Sequence, residues 1–335
     1  MTEATETTRA QTRPREKTSD GTAATVRRAG VVGLVVIAAI AFALMRSGSG
    51  LVVWQSVVTG LLMGGLYGLI AMGLTLIFGV LDIVNFAHGA LLAVAMFLAF
   101  GLVRATGAHP YLALLVAVPA LFALGAIVHR TLLSGSGGSS LENQLLITLG
   151  LSLLLENGLL FFFGAEPKSI ALPAEGSVSL FGAVISGGRL YAFLGALLLG
   201  ALLYWLLQRT SFGTAIRAVA ANGTGAELVG INVRRVHTLT FAIGTACAGA
   251  AAVLAAPLLS ITPTLGAQFN ITAFVVVVLG GMGNVVGALV GGLLIGLVEQ
   301  LTTIYLGGQS SLLGVFVVFV VVLFLRPQGL FGRRA

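Results

Sequence analysis

Apolar and polar positions fall along this chain in long blocks rather than singly. Apolar runs occupy about residues 29–45, 51–80, 87–103, 111–129, 141–163, 189–207 and 236–256. A glycine-interrupted pair follows over 271–306, and a last run over 312–325. A helix needs ~20 predominantly apolar residues to cross a bilayer. Helices alone, short of a closed barrel, satisfy their own backbone in hydrocarbon. The pattern therefore predicts an all-α, polytopic helical membrane protein with about 8–10 transmembrane helices, some of them broken by glycine. Residues 1–28 are Thr-rich, carry both charge signs and lack apolar periodicity, so they read as a disordered tail. Residues 29–335 read as one transmembrane domain, and 29–45 as its uncleaved first span. Ala41-Phe42-Ala43 resembles a signal-peptidase site, but the charged region before the run is long for a signal peptide.

The stretch 51–92 organises the rest. Gly60, Gly64, Gly65, Gly68, Gly73 and Gly79 punctuate it, and small residues let membrane helices approach closely. Just past it come Asp82, Asn85 and His88, followed by Gly89. Their spacing of three would place the polar groups on one broad helical face. An Asp left in hydrocarbon costs ~2.5–3.5 kcal/mol on insertion scales, so that face should look into protein or a wet cavity. The expectation is helix, interruption, helix, built to line a pathway.

Composition fixes the class. Of 335 residues 57% are hydrophobic and 9% charged, against about 25% charged in soluble domains. Mean hydropathy is +1.05. The net charge of +7 does not point to nucleic acid, because the cations sit between spans rather than on one compact face. If the chain alternates sides at each span, 14 of the 18 Lys and Arg residues fall on one side, among them Arg130, Arg209, Arg217, Arg234 and Arg326. The other side receives Arg46, Arg104, Lys168 and Arg189. By the positive-inside rule both termini are cytoplasmic. Outer loops then span 164–188, with a short apolar piece from Val178 to Ile185, and 257–270. Either could receive a partner or simply connect. Cys247, the only cysteine, reads as a small core residue.

The cytoplasmic loop 208–235 predicts two short helices. Ser211 is placed to cap the first, which carries Ile216, Arg217 and Val219. Asn222-Gly223 breaks it. Thr224 and Glu227 have capping-box spacing for the second, and Gly230 stops it before Ile231. The result is a rigid knob with Leu228 and Ile231 available to a partner's groove. Later, Gly280-Gly281-Met282-Gly283-Asn284 interrupts the 271–306 run. Paired interrupted segments in the two halves of a transporter point to its central pathway, so Gly281, Gly283 and Asn284 join the pathway candidates.

Several chemistries are missing from the sequence. It contains no P-loop, no His-Glu-x-x-His, no Cys-x-x-Cys and no Gly-x-Ser-x-Gly. His109, His129 and His237 lie at span ends and read as interfacial, while His88 is a helix-to-helix hydrogen bonder or a proton relay. Glu156 and Glu299 are packing partners or ion-coupling carboxylates. An ion-coupled secondary transporter using Asp82, Glu156 or Glu299 is the main rival reading. An intramembrane enzyme pairing His88 with Asp82 lacks a nucleophile or metal set.

One resemblance is specific. Gly79-x-x-Asp82-x-x-Asn85-Phe86-Ala87-His88-Gly89 resembles the Asn-Phe-Ala-His-Gly signature of branched-chain amino-acid ABC transporter permeases. Arg217-Ala218 through Asn222, Gly230-Ile231-Asn232 and Thr240-Phe241-Ala242-Ile243-Gly244 are similar to that family's cytoplasmic loop and following span. Val278-Leu279-Gly280-Gly281-Met282-Gly283-Asn284 and Arg326-Pro327-Gln328-Gly329-Leu330-Phe331-Gly332 resemble its late glycine and terminal motifs. The set runs in order from about 51 to 334. The chain departs in its 28-residue tail, and in Val94-Ala95-Met96, where the family often has Gly-Ala-Tyr.

The resemblance implies an ABC importer permease fold in the plasma membrane and no ATPase site of its own, ATP being bound by partner subunits. Those partners are two cytoplasmic ABC ATPases, a second permease (homologous or identical) and an extracytoplasmic solute-binding protein. Transport would be by alternating access, with cargo in the branched-chain or related amino-acid class. Related permeases move urea, short amides or sugars. Asp82, Asn85, His88, Gly89, Gly281, Gly283 and Asn284 would lie near the pathway. Gly213, Arg217, Ala218, Asn222, Glu227, Leu228, Gly230 and Ile231 would couple to the ATPases.

Overall fold

The computed structural model of the chain describes residues 49–134, 141–172 and 176–332. The expected tail at 1–28 and span at 29–45 lie outside the described residues. The element everything packs on is α1, Gly50–Leu81, 32 residues long. At 1.5 Å per residue it runs about 48 Å, well beyond a ~30 Å hydrocarbon core. Nearly all of its apolar stretch is buried in the protein.

There follow α2 (His88–Thr106), a 3₁₀ turn (Pro110–Ala113), α3 (Leu114–Val128) and α4 (Leu141–Phe163). Strands β1 (Ser177–Leu180) and β2 (Ala183–Ser186) come next, then α5 (Gly187–Arg209), α6 (Ser211–Ala221) and α7 (Gly223–Leu228). The chain ends with α8 (Val233–Ala255), α9 (Leu265–Gly280), α10 (Val285–Leu306) and α11 (Ser311–Leu325). Among the described residues seven helices are long and apolar enough to cross a membrane. Two shorter apolar ones, α9 and α11, have 16 and 15 residues.

The ends of α1 define two faces. Near its start, Trp54 Nε1 donates to Leu180 O at 3.0 Å. Gln55 both donates to Val184 O and accepts from Val184 N, each at 2.8 Å. The β-hairpin therefore marks one face. At the far end Gly79 lies against Gly283, beside α6, which marks the opposite, loop face.

Between the faces α1 packs mainly on α10 and α8. Gly60, Gly64 and Gly68 abut Gly292, Leu293 and Gly296 backbone to backbone. The small-residue run Ala242–Ala252 of α8 lets α1, α2 and α3 close around it. Helices α4 and α11 lie outermost. Phe161, Phe162 and Phe324 are among their largely exposed apolar side chains, the pattern of a lipid-facing surface.

Three expectations are corrected. The piece Val178–Ile185 is an antiparallel hairpin, with Ser177 opposite Ser186 and Leu180 opposite Ala183. Its two turn residues, Phe181 and Gly182, have φ of 48° and 89°, the geometry that suits the right-handed strand twist. Helix α9 starts at Leu265 rather than 271, which makes Gly266–Asn270 helical instead of loop. His129 is buried, not interfacial. A π turn (His129–Leu133) carries its ring against α8, with Nδ1 3.0 Å from Thr238 Oγ1.

Candidate functional site

The first break does not present Asp82, Asn85 and His88 on one helical face. Helix α1 stops at Leu81, and Asp82 caps it in the left-handed region, with φ 53° and its N–H donating to Phe78 O at 2.9 Å. The Asp82 side chain is exposed, while Asn85, His88 and Gly89 are buried. The non-helical stretch 82–87 turns back along α1. Its end is fixed by His88, whose Nε2 lies 3.2 Å from Ile70 O, and Ile70 sits about 16 Å along α1 from Leu81. Helix α2 thus begins at mid-depth, where irregular backbone is tolerated only inside protein.

The polar groups of that backbone find partners on two other helices. Asn270 of α9 accepts from Gly89 N at 3.2 Å and donates to Phe86 O at 3.1 Å. Thr148 of α4 accepts from Phe86 N at 3.3 Å. Asn85 Oδ1 accepts from Ala87 N at 3.1 Å, closing a local turn just ahead of α2. A Cβ on Gly89 would fall 2.0 Å from Gly266 O, so only glycine fits there. Two buried groups, Asn85 Nδ2 and His88 Nδ1, have no hydrogen-bond partner among the described residues.

Sequence reasoning passed over Asn270 and Thr148. Each lies far along the chain, and nothing local marks it. The expected effect of Asn270→Leu follows. Two buried backbone groups lose their partner, costing about 2–4 kcal/mol in total. The measurement is the thermal midpoint of the purified protein in detergent; a wild-type midpoint contradicts the clamp.

The second break has different geometry. Gly281 and Gly283 have φ of 99° and 80° and form a tight turn at the loop face. Asn284 Oδ1 accepts from Gly287 N at 2.9 Å and caps α10. Its Nδ2 donates to Phe331 O at 3.2 Å. The terminal motif folds back on this turn, with Leu330 N donating to Leu279 O at 2.8 Å and Phe331 N to Gly280 O at 3.1 Å. The two breaks are therefore not equivalent. One lies at mid-depth, the other at one end.

The loop 208–235 is the knob the sequence indicates, with other caps. Thr210, not Ser211, accepts from Gly213 N at 3.0 Å. Asn222, not a Thr224–Glu227 box, caps α7 through Gly225 N at 2.8 Å. Asn222 is extended, its φ −162°, so it ends α6 through Ala218 O and begins α7 in one residue. Gly230 takes φ 85°, and its N–H closes on Glu227 O at 2.9 Å.

A Cβ on Gly213 would strike Leu207 O, so glycine lets α6 fold tightly against the end of α5. Arg217 holds that fold through Leu207 O and Thr214 Oγ1. The buried stripe Gly213, Ile216 and Val219 faces α5 and α1. At the tip Leu228 is 84% and Val229 77% exposed, whereas Ile231 packs partly into the core. The apolar pair offered outward is Leu228 and Val229 rather than Leu228 and Ile231.

A cavity of about 370 Å³ joins the two groups of candidates at the loop face. Thr75 and Gly79 of α1, Gln208 of α5, Arg217 of α6, and Gly283 and Asn284 line it. Asp82, Asn85, His88 and Gly89 do not. Glu299 faces the Tyr67 hydroxyl, and its Oε2 is buried without a hydrogen-bond partner among the described residues. Among the described residues no group of three His, Cys, Asp or Glu side chains is placed to hold a metal ion.

This architecture is that of a multi-pass helical membrane protein with a capped knob at one face. Residues 56–325 match the family model for the permease component of branched-chain amino acid transport systems, and the chain belongs to that family. It is 32% identical over 298 residues to the high-affinity branched-chain amino acid transport system permease protein BraD of Pseudomonas aeruginosa, covering 83% of this chain and 95% of that protein. It is 30% identical over 295 residues to LivH of Escherichia coli, with the same coverage. A probable LivH permease of Methanocaldococcus jannaschii is 29% identical over 289 residues, 79% of this chain and 88% of that one. No solved structure matches the chain.

Proposed function

We propose that this chain is the membrane-spanning permease subunit of an ATP-driven ABC importer for branched-chain amino acids. The observation that carries it is the knob α6–α7, which presents Leu228 and Val229 outward while Arg217 and the buried stripe tie it to α5 and α1. Family membership supplies the transport class, and relatives named for branched-chain amino acids supply the cargo class.

The loop face is cytoplasmic, because among the described residues Arg130, Arg209, Arg217, Arg234, Arg235 and Arg326 stand toward it and only Arg104, Lys168 and Arg189 toward the hairpin face; alternation of the spans along the sequence assigns both termini to the same side. The chain sits in the plasma membrane, with residues 29–335 as its permease domain. ATP is bound by two cytoplasmic ATPases, one of which grips Leu228 and Val229. A second permease completes the pathway, and an extracytoplasmic solute-binding protein delivers cargo at the hairpin face. Closure of the ATPases pushes the knob against α5 and the end of α1, and the pathway alternates between its two openings. In this mechanism the mid-depth break at Asn85–Gly89 and the turn at Gly281–Asn284 give α1 and α10 the joints about which they tilt.

The test is reconstitution in vesicles with the ATPases, the second permease and the binding protein. Leucine should accumulate only with ATP and only with the binding protein. Accumulation by this chain alone, driven by an ion gradient, overturns the reading in favour of a secondary transporter.

A further inference from the structure

We infer that α4 is the helix by which this chain pairs with the second permease subunit, along a stripe that repeats every seven residues. The inference deepens the importer reading and rests on it.

Spacing and exposure together define the stripe. Asn143, Gly150 and Asn157 recur at intervals of seven, and Leu146, Leu153 and Leu160 each follow three residues later. That is the a and d pattern of a left-handed helix pair. All six are exposed in this chain, whereas Thr148 and Leu159, on the far side of the helix, are buried. Only 11% of the α4 span is buried, the lowest share among the seven described spans. The seam therefore finds no mate among the described residues.

Lipid is a poor occupant. The exposed positions of α3 and α11 are all apolar, as contact with hydrocarbon requires. Those of α4 include Asn157, about 8 Å along the helix from its midpoint. Asn157 Nδ2 donates to Leu153 O at 2.8 Å, which leaves its Oδ1 and a second N–H for a neighbour. Beside it Glu156 is half-buried and has no ion-pair partner among the described residues. Charged and strongly polar side chains within a span face protein or water, not lipid. Gly150 gives an independent sign. Among the described residues nothing lies within 4 Å of a Cβ there, so no contact in this chain asks for glycine at a mid-helix position that disfavours it. Glycine on a seam lets a neighbouring backbone approach closely.

The place of the stripe selects the partner. It runs along a membrane span, between the faces reached by the ATPases and the binding protein, so its mate is another membrane helix. The run 29–45 of this chain carries no hydroxyl, amide or charged side chain to meet Asn157. The second permease spans the membrane beside this one. Two such subunits about a two-fold axis along the membrane normal bring like helices together in parallel, amide against amide and glycine against glycine. An Asn at an a position then fixes register and pairing.

The experiment puts the photoreactive residue p-benzoyl-phenylalanine in place of Leu153 in the purified importer, with its ATPases, second permease and binding protein. Illumination is expected to give an adduct of two permease subunits, identified by mass, with the crosslink inside a membrane helix. The same group in place of Val317 on α11 should give lipid adducts only. An adduct within one chain assigns the seam to 29–45, and lipid adducts alone assign it to the bilayer. An adduct with an ATPase or the binding protein takes the stripe out of the membrane. Each of these overturns the inference, as does a permease adduct of equal yield from position 317.

Gly150→Val supplies a second measurement. The isolated chain should keep the parent thermal midpoint, while recovery of the second permease with the tagged chain should fall about tenfold. Recovery equal to the parent, or an earlier-melting isolated chain, overturns the seam. If uptake depends on ATP while position 153 gives lipid adducts alone, only this inference falls. Permease adducts in vesicles that take up leucine on an ion gradient without ATP remove the importer reading and leave the seam.

Discussion

Gly296→Val is expected to yield little folded protein, and what folds should melt roughly 6–12 °C lower, the shift that ~3 kcal/mol produces in a chain of this size. The reason lies in the seam between α1 and α10. A Cβ on Gly296 would sit 2.4 Å from Gly64 Cα and 2.5 Å from Gly60 O. The same atom on Gly292 would be 2.3 Å from Gly68 N. These neighbours are backbone, so no rotamer change relieves the clash and the helices must separate. Membrane helices are held together largely by close van der Waals packing. Separation therefore forfeits the contact along α1, the most buried of the described spans. Gly150→Val is the matched control, because nothing lies within 4 Å of a Cβ there. Size-exclusion profiles and thermal midpoints in detergent are the readouts. A wild-type midpoint for Gly296→Val would show that the seam is not close-packed.

Leu228→Asp combined with Val229→Asp is expected to abolish ATP-dependent uptake while leaving the permease as stable as the parent. Both side chains are more than three-quarters exposed, and surface changes of that kind shift stability by about 0.5 kcal/mol or less. At an interface the same positions would be buried anchors. Losing one of these costs about 2–4 kcal/mol, so binding of the ATPase should weaken by at least about thirtyfold. Co-purification with the ATPase and uptake in reconstituted vesicles measure the two halves of the claim. Intact association would place the ATPase contact elsewhere on the loop face. A permease that melts earlier would place the pair in the core instead.

The break at Asp82–Gly89 was legible as helix, interruption, helix, because polar residues in an apolar run are costly and conspicuous. Its geometry was not. A spacing of three implies one face only if the backbone stays helical, and here Asp82 turns left-handed and the chain runs back to Ile70. The partner that stabilises the turn, Asn270, lies 181 residues from Gly89. The knob was legible in number and extent but not in its caps. Thr210 and Ser211 are both capping types, and so are Asn222 and Thr224. What decides between them is where α5 ends and how closely Gly213 folds onto it. The hairpin 177–186 had a signal in the alternation Ser-Val-Ser-Leu around Phe181-Gly182. The turn is weakly marked, though, because Phe rather than Asn or Asp stands at the first left-handed position.

By itself the sequence determined the class: transmembrane helices, a one-sided cation distribution and a set of ordered motifs. Those follow from the one-dimensional cost of placing polar or charged groups in hydrocarbon, which each segment meets alone. Only the tertiary structure decided which helix is central, that one break lies at mid-depth and the other at an end, and that Thr75, Arg217 and Asn284 share a cavity. Those depend on how closely two backbones can approach and which distant side chain meets an unpaired N–H, and both are properties of pairs of segments.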